Sequence, residues 1–139
     1  DSGGGLLIGV DTKKDAAVLN AAYNDREGIT ADFNLNVLAH LNELLDGDFD
    51  LANFEHSAFY NAAEGRVEMH LRSRVDQTVS LAGSTVRFAR GETVHTENSY
   101  KYAPEEFVQL ARKAGLARHD LPGTEYWTFR GHVYEESHL

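Results

Sequence analysis

The hydrophobic period of this chain changes once, and that change limits what it can fold into. Between residues 15 and 47 apolar residues recur at helical spacing, whereas from 54 to 102 they alternate every second residue. A helical stretch followed by period-two strands specifies helices laid on a sheet with one dry face, a mixed α/β class. Asp15 is the expected N-cap of a helix running to about Tyr23, with Val18, Leu19, Ala22 and Tyr23 on one stripe. After the turn at 24–28, Thr30 is the expected cap of a longer helix. Its apolar face would be Phe33, Val37, Leu38, Leu41, Leu44 and Leu45, and Gly47 would stop it.

In the second stretch Val67, Met69 and Leu71 alternate with polar residues, as do Val79 with Leu81 and Val86 with Phe88, and Gly83 marks a tight connection. This is the pattern of an antiparallel meander. Strict alternation over 93–102 puts Thr93, His95, Glu97, Ser99 and Lys101 on one face and Val94, Thr96, Asn98, Tyr100 and Tyr102 on the other.

Two further segments flank this body. Residues 6–10 are an unbroken apolar run and read as a short strand buried on both faces, the kind found in covered parallel sheets. Its neighbours must come from later residues or from another chain. Pro104 at the first helical position, Glu105 and Glu106 in the first turn, an apolar face of Phe107, Leu110, Ala111 and Ala114, and Gly115 past the end specify a third helix. Beyond Leu116 a Pro122-Gly123 turn and a candidate strand at 126–134 follow, on a pattern too weak to specify the closing strands.

The 139 residues suit one domain or a domain with a small appendage, and 42% apolar content is enough for a real core. Cysteine is absent, which excludes a disulfide framework and thiolate-bound metal and fits a cytoplasmic setting. A formal charge of −9 disfavours nucleic acid as a partner, and no apolar run is long enough for a membrane helix.

Few residue groupings suggest chemistry. The glycines at 3–5 precede the first strand, whereas a phosphate loop follows a strand and opens a helix. The seven histidines show no helical pairing that would place two ligands on one metal, so no metal site is expected. His95 and Ser99, four apart on a strand, would stand about 13 Å apart, too far for a nucleophile and its base. Glu97 and Ser99, two apart, would leave one face about 7 Å from each other, which suits either a small polar ligand or an ordinary solvated sheet face. Tyr23 is equally open: a ligand contact, or a core ring with a wet hydroxyl.

Several segments resemble, in order, the C-terminal part of the S-adenosylmethionine-dependent histidine-specific methyltransferases, which trimethylate the histidine α-amine at the start of ergothioneine biosynthesis. They are Leu6-Leu7-Ile8-Gly9-Val10-Asp11, Ala22-Tyr23-Asn24-Asp25, Gly28-Ile29-Thr30-Ala31, Phe33-Asn34-Leu35-Asn36, Arg66-Val67-Glu68-Met69 and His95-Thr96-Glu97-Asn98-Ser99-Tyr100-Lys101. The resemblance covers about 6–116. It implies that 1–11 is a late strand of a Rossmann-like parallel sheet, 12–101 an inserted substrate domain and 102–139 a return to the first domain. By motif position Tyr23 resembles the tyrosine that binds the substrate carboxylate, and Glu97 and Ser99 the pair that recognises the imidazole. Met69 resembles a pocket-wall residue, and Thr30 a residue that approaches substrate through water. The reaction implied is in-line displacement at the sulfonium methyl by a neutral amine, with no catalytic side chain and no metal.

The family's cofactor loop has no counterpart here, so S-adenosylmethionine is expected to be held by a portion outside this chain, which by itself is expected to be inactive. The unmatched strand and third helix would then favour self-association. After Leu116 the sequence departs from the family: Leu121-Pro122-Gly123 intervenes and Phe129 follows Trp127-Thr128. Two other readings stand beside this one: a relative acting on another aromatic amino acid, and a non-catalytic amino-acid-binding or assembly fragment.

Overall fold

The computed structural model describes residues 5–120 and 127–131. In chain order its elements are β1 (Gly5–Leu7), α1 (Ala16–Tyr23), α2 (Ile29–Leu45), β2 (Phe54–Asn61), β3 (Arg66–Ser73), β4 (Gln77–Leu81), β5 (Ser84–Phe88), β6 (Thr93–Tyr100), α3 (Pro104–Lys113), β7 (Leu116–Asp120) and β8 (Trp127–Gly131). This mixed helix and sheet composition is the α/β class that the change of period specifies. The chain divides into two units, Lys14–Tyr100 and the combination of Asp1–Lys13 with Lys101–Leu139.

In the Lys14–Tyr100 unit the strands do not form one meander. β2, β3 and β6 make an antiparallel sheet in the order β2-β3-β6, while β4 and β5 form a separate hairpin between β3 and β6 in sequence. Ala82 and Gly83 turn that hairpin with φ of 50° and 74°, the two positive angles a tight two-residue turn needs. The core gathers Leu38 from α2, Phe54 and Leu71 from the sheet, Val79 and Phe88 from the hairpin and Phe49 from the connecting loop. Phe54 meets Phe49 and Phe88 edge-on, with ring centroids 5.8 and 5.4 Å apart. Such pairs add packing energy to the burial of the rings themselves.

Asp15 caps α1 as expected, accepting from the Ala17 N–H at 2.8 Å. For α2 the expectation fails. Gly28, at φ 75°, is the N-cap, and the first amides are taken by Asp25, whose carboxylate accepts from Ile29 at 2.8 Å and Thr30 at 2.9 Å. Thr30 thus lies inside the helix. An aspartate three residues before Gly28 wins because two carboxylate oxygens can satisfy two amides at once.

The buried stripe of α2 is also displaced from the expected one. Asn34 and Leu38 are buried, while Phe33 and Leu44 are 62% and 78% exposed. Polar side chains with partners occupy the inside: Asn42 holds both backbone groups of Phe49, donating to its carbonyl at 2.9 Å and accepting from its N–H at 2.8 Å. At the far end Asp46, not Gly47, adopts the left-handed conformation. Gly47 is needed for space instead, since a Cβ there would lie 2.8 Å from Asn42 Oδ1 and 2.9 Å from Leu81 Cδ1.

In the other unit β1 is short and antiparallel to β8, which also pairs with β7 to give the order β1-β8-β7. The expected parallel strand over 6–10, buried on both faces, is therefore not seen: β1 ends at Leu7, and Leu6 and Ile8 are about two-fifths exposed. The apolar run fitted a covered parallel strand, but its neighbour approaches from the opposite direction. A single parallel bridge joins Thr12 to Tyr102. Close by, Lys101, only 2% exposed, reaches Asp11 at 2.8 Å, a buried cation given its anion. In α3 the Glu106 carboxylate accepts from the Ala103 N–H at 2.8 Å and pairs with Lys13, which holds its pKa below the usual range. The expected Pro122-Gly123 turn and the end of the 126–134 strand lie outside the described residues, as does most of the early glycine run.

Candidate functional site

α1 is fastened to the edge of the sheet by its asparagines. Asn20 Oδ1 accepts from the Tyr60 N–H at 2.7 Å, and Asn24 Nδ2 donates to the Ala58 carbonyl at 3.0 Å. These bonds occupy backbone groups of an edge strand that would otherwise face solvent. They also set the end of α1, where Tyr23 leaves the helix and reaches β6, the far strand of the sheet. Its hydroxyl donates to Ser99 Oγ at 2.8 Å.

The register of β6 places Glu97 in the same site through an irregularity. Met69 lies opposite Glu97 while the next residue of β3, His70, lies opposite His95, so Thr96 is an extra residue in β6. A bulge of this kind resets the alternation of side chains. Ser99 and Glu97 therefore face the same way as their partners Val67 and Met69, and so does Val94 opposite Leu71. His95 turns to the other face with His70. The expected grouping of His95 with Glu97 and Ser99 is thus broken by one inserted residue.

Of the five residues singled out by sequence, four converge on this helix-covered face: Tyr23, Met69, Glu97 and Ser99. Met69 is 2% exposed, whereas Glu97 is exposed. Among the described residues the Glu97 carboxylate has no hydrogen bond or ion pair. Thr30 is engaged elsewhere, since its N–H and its hydroxyl both serve Asp25 and hold that carboxyl down at about 2.

Sequence reasoning missed the polar network beneath the site. Asn34, 1% exposed, donates through Nδ2 to His56 Nδ1 at 2.9 Å and to the His70 carbonyl at 3.0 Å. The Thr96 hydroxyl donates to Asn34 Oδ1 at 2.6 Å and lies 3.0 Å from the Met69 carbonyl. With Nδ1 accepting, His56 carries its proton on Nε2 and donates it to the Tyr23 carbonyl at 2.8 Å. One asparagine thereby ties the bulge that presents Glu97 to the helix end that presents Tyr23. The available signal was an asparagine four positions before Leu38, and so on the same side of the helix as that core leucine.

The opposite face of the sheet carries a different set. Glu68, 7% exposed, accepts through Oε1 from Arg66 Nε at 2.9 Å and Asn61 Nδ2 at 3.0 Å, and its Oε2 lies 3.3 Å from His70 Nε2. The bond from Arg66, helped by Asn61, holds the Glu68 carboxyl down at about 2. The His70 ring is stacked between Phe59 at 5.4 Å and His95 at 4.4 Å. Arg66 also donates to the Tyr100 hydroxyl at 2.9 Å.

The helix-covered face thus carries an exposed carboxylate, two joined hydroxyls and the Met69 thioether, groups that can accept and donate hydrogen bonds beside an apolar surface. The histidine N-alpha-methyltransferases of Mycolicibacterium smegmatis and Mycobacterium tuberculosis are 46% and 44% identical to this chain over 128 residues, 91% of its length. Ergothioneine biosynthesis protein 1 of Neurospora crassa is 30% identical over 138 residues, covering 89% of this chain and 14% of that protein. The chain spans 38% of the length of the two mycobacterial proteins. The sequence profile of the SAM-dependent histidine-specific methyltransferases matches residues 1–135, and to that family the chain belongs.

Proposed function

We propose that this chain is the substrate-gripping part of an enzyme that N-methylates the α-amine of histidine. The observation that carries the reading is the bond from Tyr23 to Ser99 across 76 positions of sequence, beside a Glu97 carboxylate with no partner among the described residues. Glu97 would accept the ring N–H, with Ser99 beside it. Tyr23 would turn the proton it now gives Ser99 to the substrate carboxylate. The amine, left without a grip, is then the group offered for reaction. Met69 would wall the pocket and Thr30 would reach the substrate only through water.

S-adenosylmethionine would supply the methyl group. On this reading sequence outside this chain would hold that cofactor, with this chain holding the amino acid. The division at 1–11, 12–101 and 102–139 is proposed on the same basis, with the middle segment as substrate domain. Exposed Leu6, Ile8 and Leu110 support self-association, and the lack of cysteine is in keeping with a cytoplasmic setting.

The test is made on the full-length gene product that contains this chain. Glu97→Gln should lower kcat/KM for histidine by about 10- to 150-fold, the effect of a charge-assisted hydrogen bond of about 1.5 to 3 kcal/mol. Glu97→Leu should also narrow the preference for histidine over phenylalanine, because a site with no acceptor no longer rejects a ring with no donor. An unchanged preference ratio would assign Glu97 to a solvated sheet face, and preferred turnover of tryptophan would move the substrate to another aromatic amino acid.

A further inference from the structure

We propose that Glu68, His70 and His95, on the face of the β2-β3-β6 sheet away from α2, form a site for a divalent transition-metal ion such as zinc. The proposal does not depend on the methyltransferase reading, because these residues lie on the opposite face from Glu97 and Ser99. One ligand-bearing atom from each of the three lies within 4.8 Å of the others. Glu68 and His70 are two apart on β3, and His95 is directly across from His70 on β6, so all three side chains leave one face together.

The donor chemistry fits, and one edge of the site already has the spacing. Two imidazoles and a carboxylate are the donor set that zinc, nickel and copper favour, and with no cysteine in the chain no thiolate competes for the ion. Four ligands about 2.0 Å from a tetrahedral zinc stand roughly 3.3 Å from one another. The edge between His70 Nε2 and Glu68 Oε2 is already 3.3 Å. His95 is the ligand that must move inward, and it is exposed and stacked only on His70. Fourth and further positions would open to water.

The support behind these ligands is in place before any ion arrives. Arg66 and Asn61 both bind Oε1 of Glu68, which leaves Oε2 as the ligating oxygen and fixes the plane of the carboxylate. Phe59 covers the outer side of the His70 ring. His95 Nε2 lies 3.2 Å from the Glu97 carbonyl, a bond that assigns the proton to Nε2 and the lone pair to Nδ1. Partners of this kind orient metal ligands and are worth about 10- to 100-fold in metal affinity. Period-two reading hid the site, because the bulge at Thr96 is what brings His95 to the face of Glu68 and His70.

Zinc and cobalt(II) titrations of the full chain at neutral pH test this, by calorimetry for zinc and by visible absorption for cobalt. One equivalent of zinc should bind, cobalt should develop the intense visible bands of a four- or five-coordinate ion, and zinc should raise the unfolding temperature. His95→Ala, at an exposed position and with its fold checked by circular dichroism, should weaken zinc at least about tenfold to a hundredfold and abolish the cobalt bands. Glu68→Gln should do the same through the loss of the anionic ligand. Zinc affinity equal in the parent and in His95→Ala would overturn the proposal, as would binding through other histidines with no cobalt bands.

Discussion

Two glutamates on neighbouring strands of one sheet have opposite fates. Glu68 is nearly buried and shares its carboxylate among Arg66, Asn61 and His70; Glu97, one strand away on the other face, is exposed and has no partner among the described residues. Both are glutamates in strands of one sheet, so residue type does not separate them. Partners do. A carboxylate whose lone pairs are filled stiffens the sheet, whereas one that is exposed and unfilled is available to a ligand. The faces also differ in how they are held: the helix-covered face rests on a buried amide and imidazole, the other on an ion pair and stacked rings.

The largest expected effect tests the support under the helix-covered face. Asn34→Ala leaves His56 Nδ1 and the His70 carbonyl without that amide and the Thr96 hydroxyl with only the Met69 carbonyl, and should destabilise the chain by about 2 to 4 kcal/mol in urea denaturation. A loss under about 1 kcal/mol would mean that water replaces the amide and that the two halves of the candidate site are not tied through it.

A smaller effect distinguishes the two glutamates by pH. The Glu68 carboxyl is lowered from 4.5 to about 2 in the folded chain, so it contributes stability that is full above about pH 4.5 and disappears as pH falls toward 2. Glu68→Gln should therefore be less stable than the parent at neutral pH, with the gap closing between pH 4.5 and 2. Asp25, also lowered to about 2, titrates in the same window in both proteins and cancels in the difference. A gap that stays constant down to pH 2 would show that the ion pair with Arg66 contributes nothing.

The smallest effect sharpens the picture of the open face. Tyr100→Phe removes the hydroxyl that accepts from Arg66 but keeps the ring 5.5 Å below the guanidinium. Arg66 retains Glu68, so the denaturation midpoint should move little, and less than in Glu68→Gln. The reverse order would make Tyr100, not Glu68, the main anchor of Arg66.

Self-association tests the unit that holds β1 and α3. Light scattering of the chain at high concentration should show species above the monomer mass, driven by exposed Leu6, Ile8 and Leu110, and a Leu110→Glu variant should shift the distribution toward monomer. A clean monomer in the parent would assign those residues to ordinary surface.

Local signals set a large part of this molecule from sequence. Asp15, Pro104 and Gly115 mark helix ends because capping depends only on residues a few positions away, and Gly83 marks its hairpin for the same reason. The period-two runs mark strands, and motif order points to Tyr23, Met69, Glu97 and Ser99. What the tertiary structure decided is pairing and parity. The hairpin leaves the meander, β1 pairs antiparallel with β8, and Asp25 takes the helix start from Thr30. The buried side of α2 turns toward Asn34 because three partners on three strands await that amide. Above all, one extra residue at Thr96 separates His95 from Glu97, placing one histidine with Glu68 and one glutamate with Tyr23 and Ser99. A bulge is fixed by hydrogen bonds from a helix 62 positions away, and no local pattern contains that information.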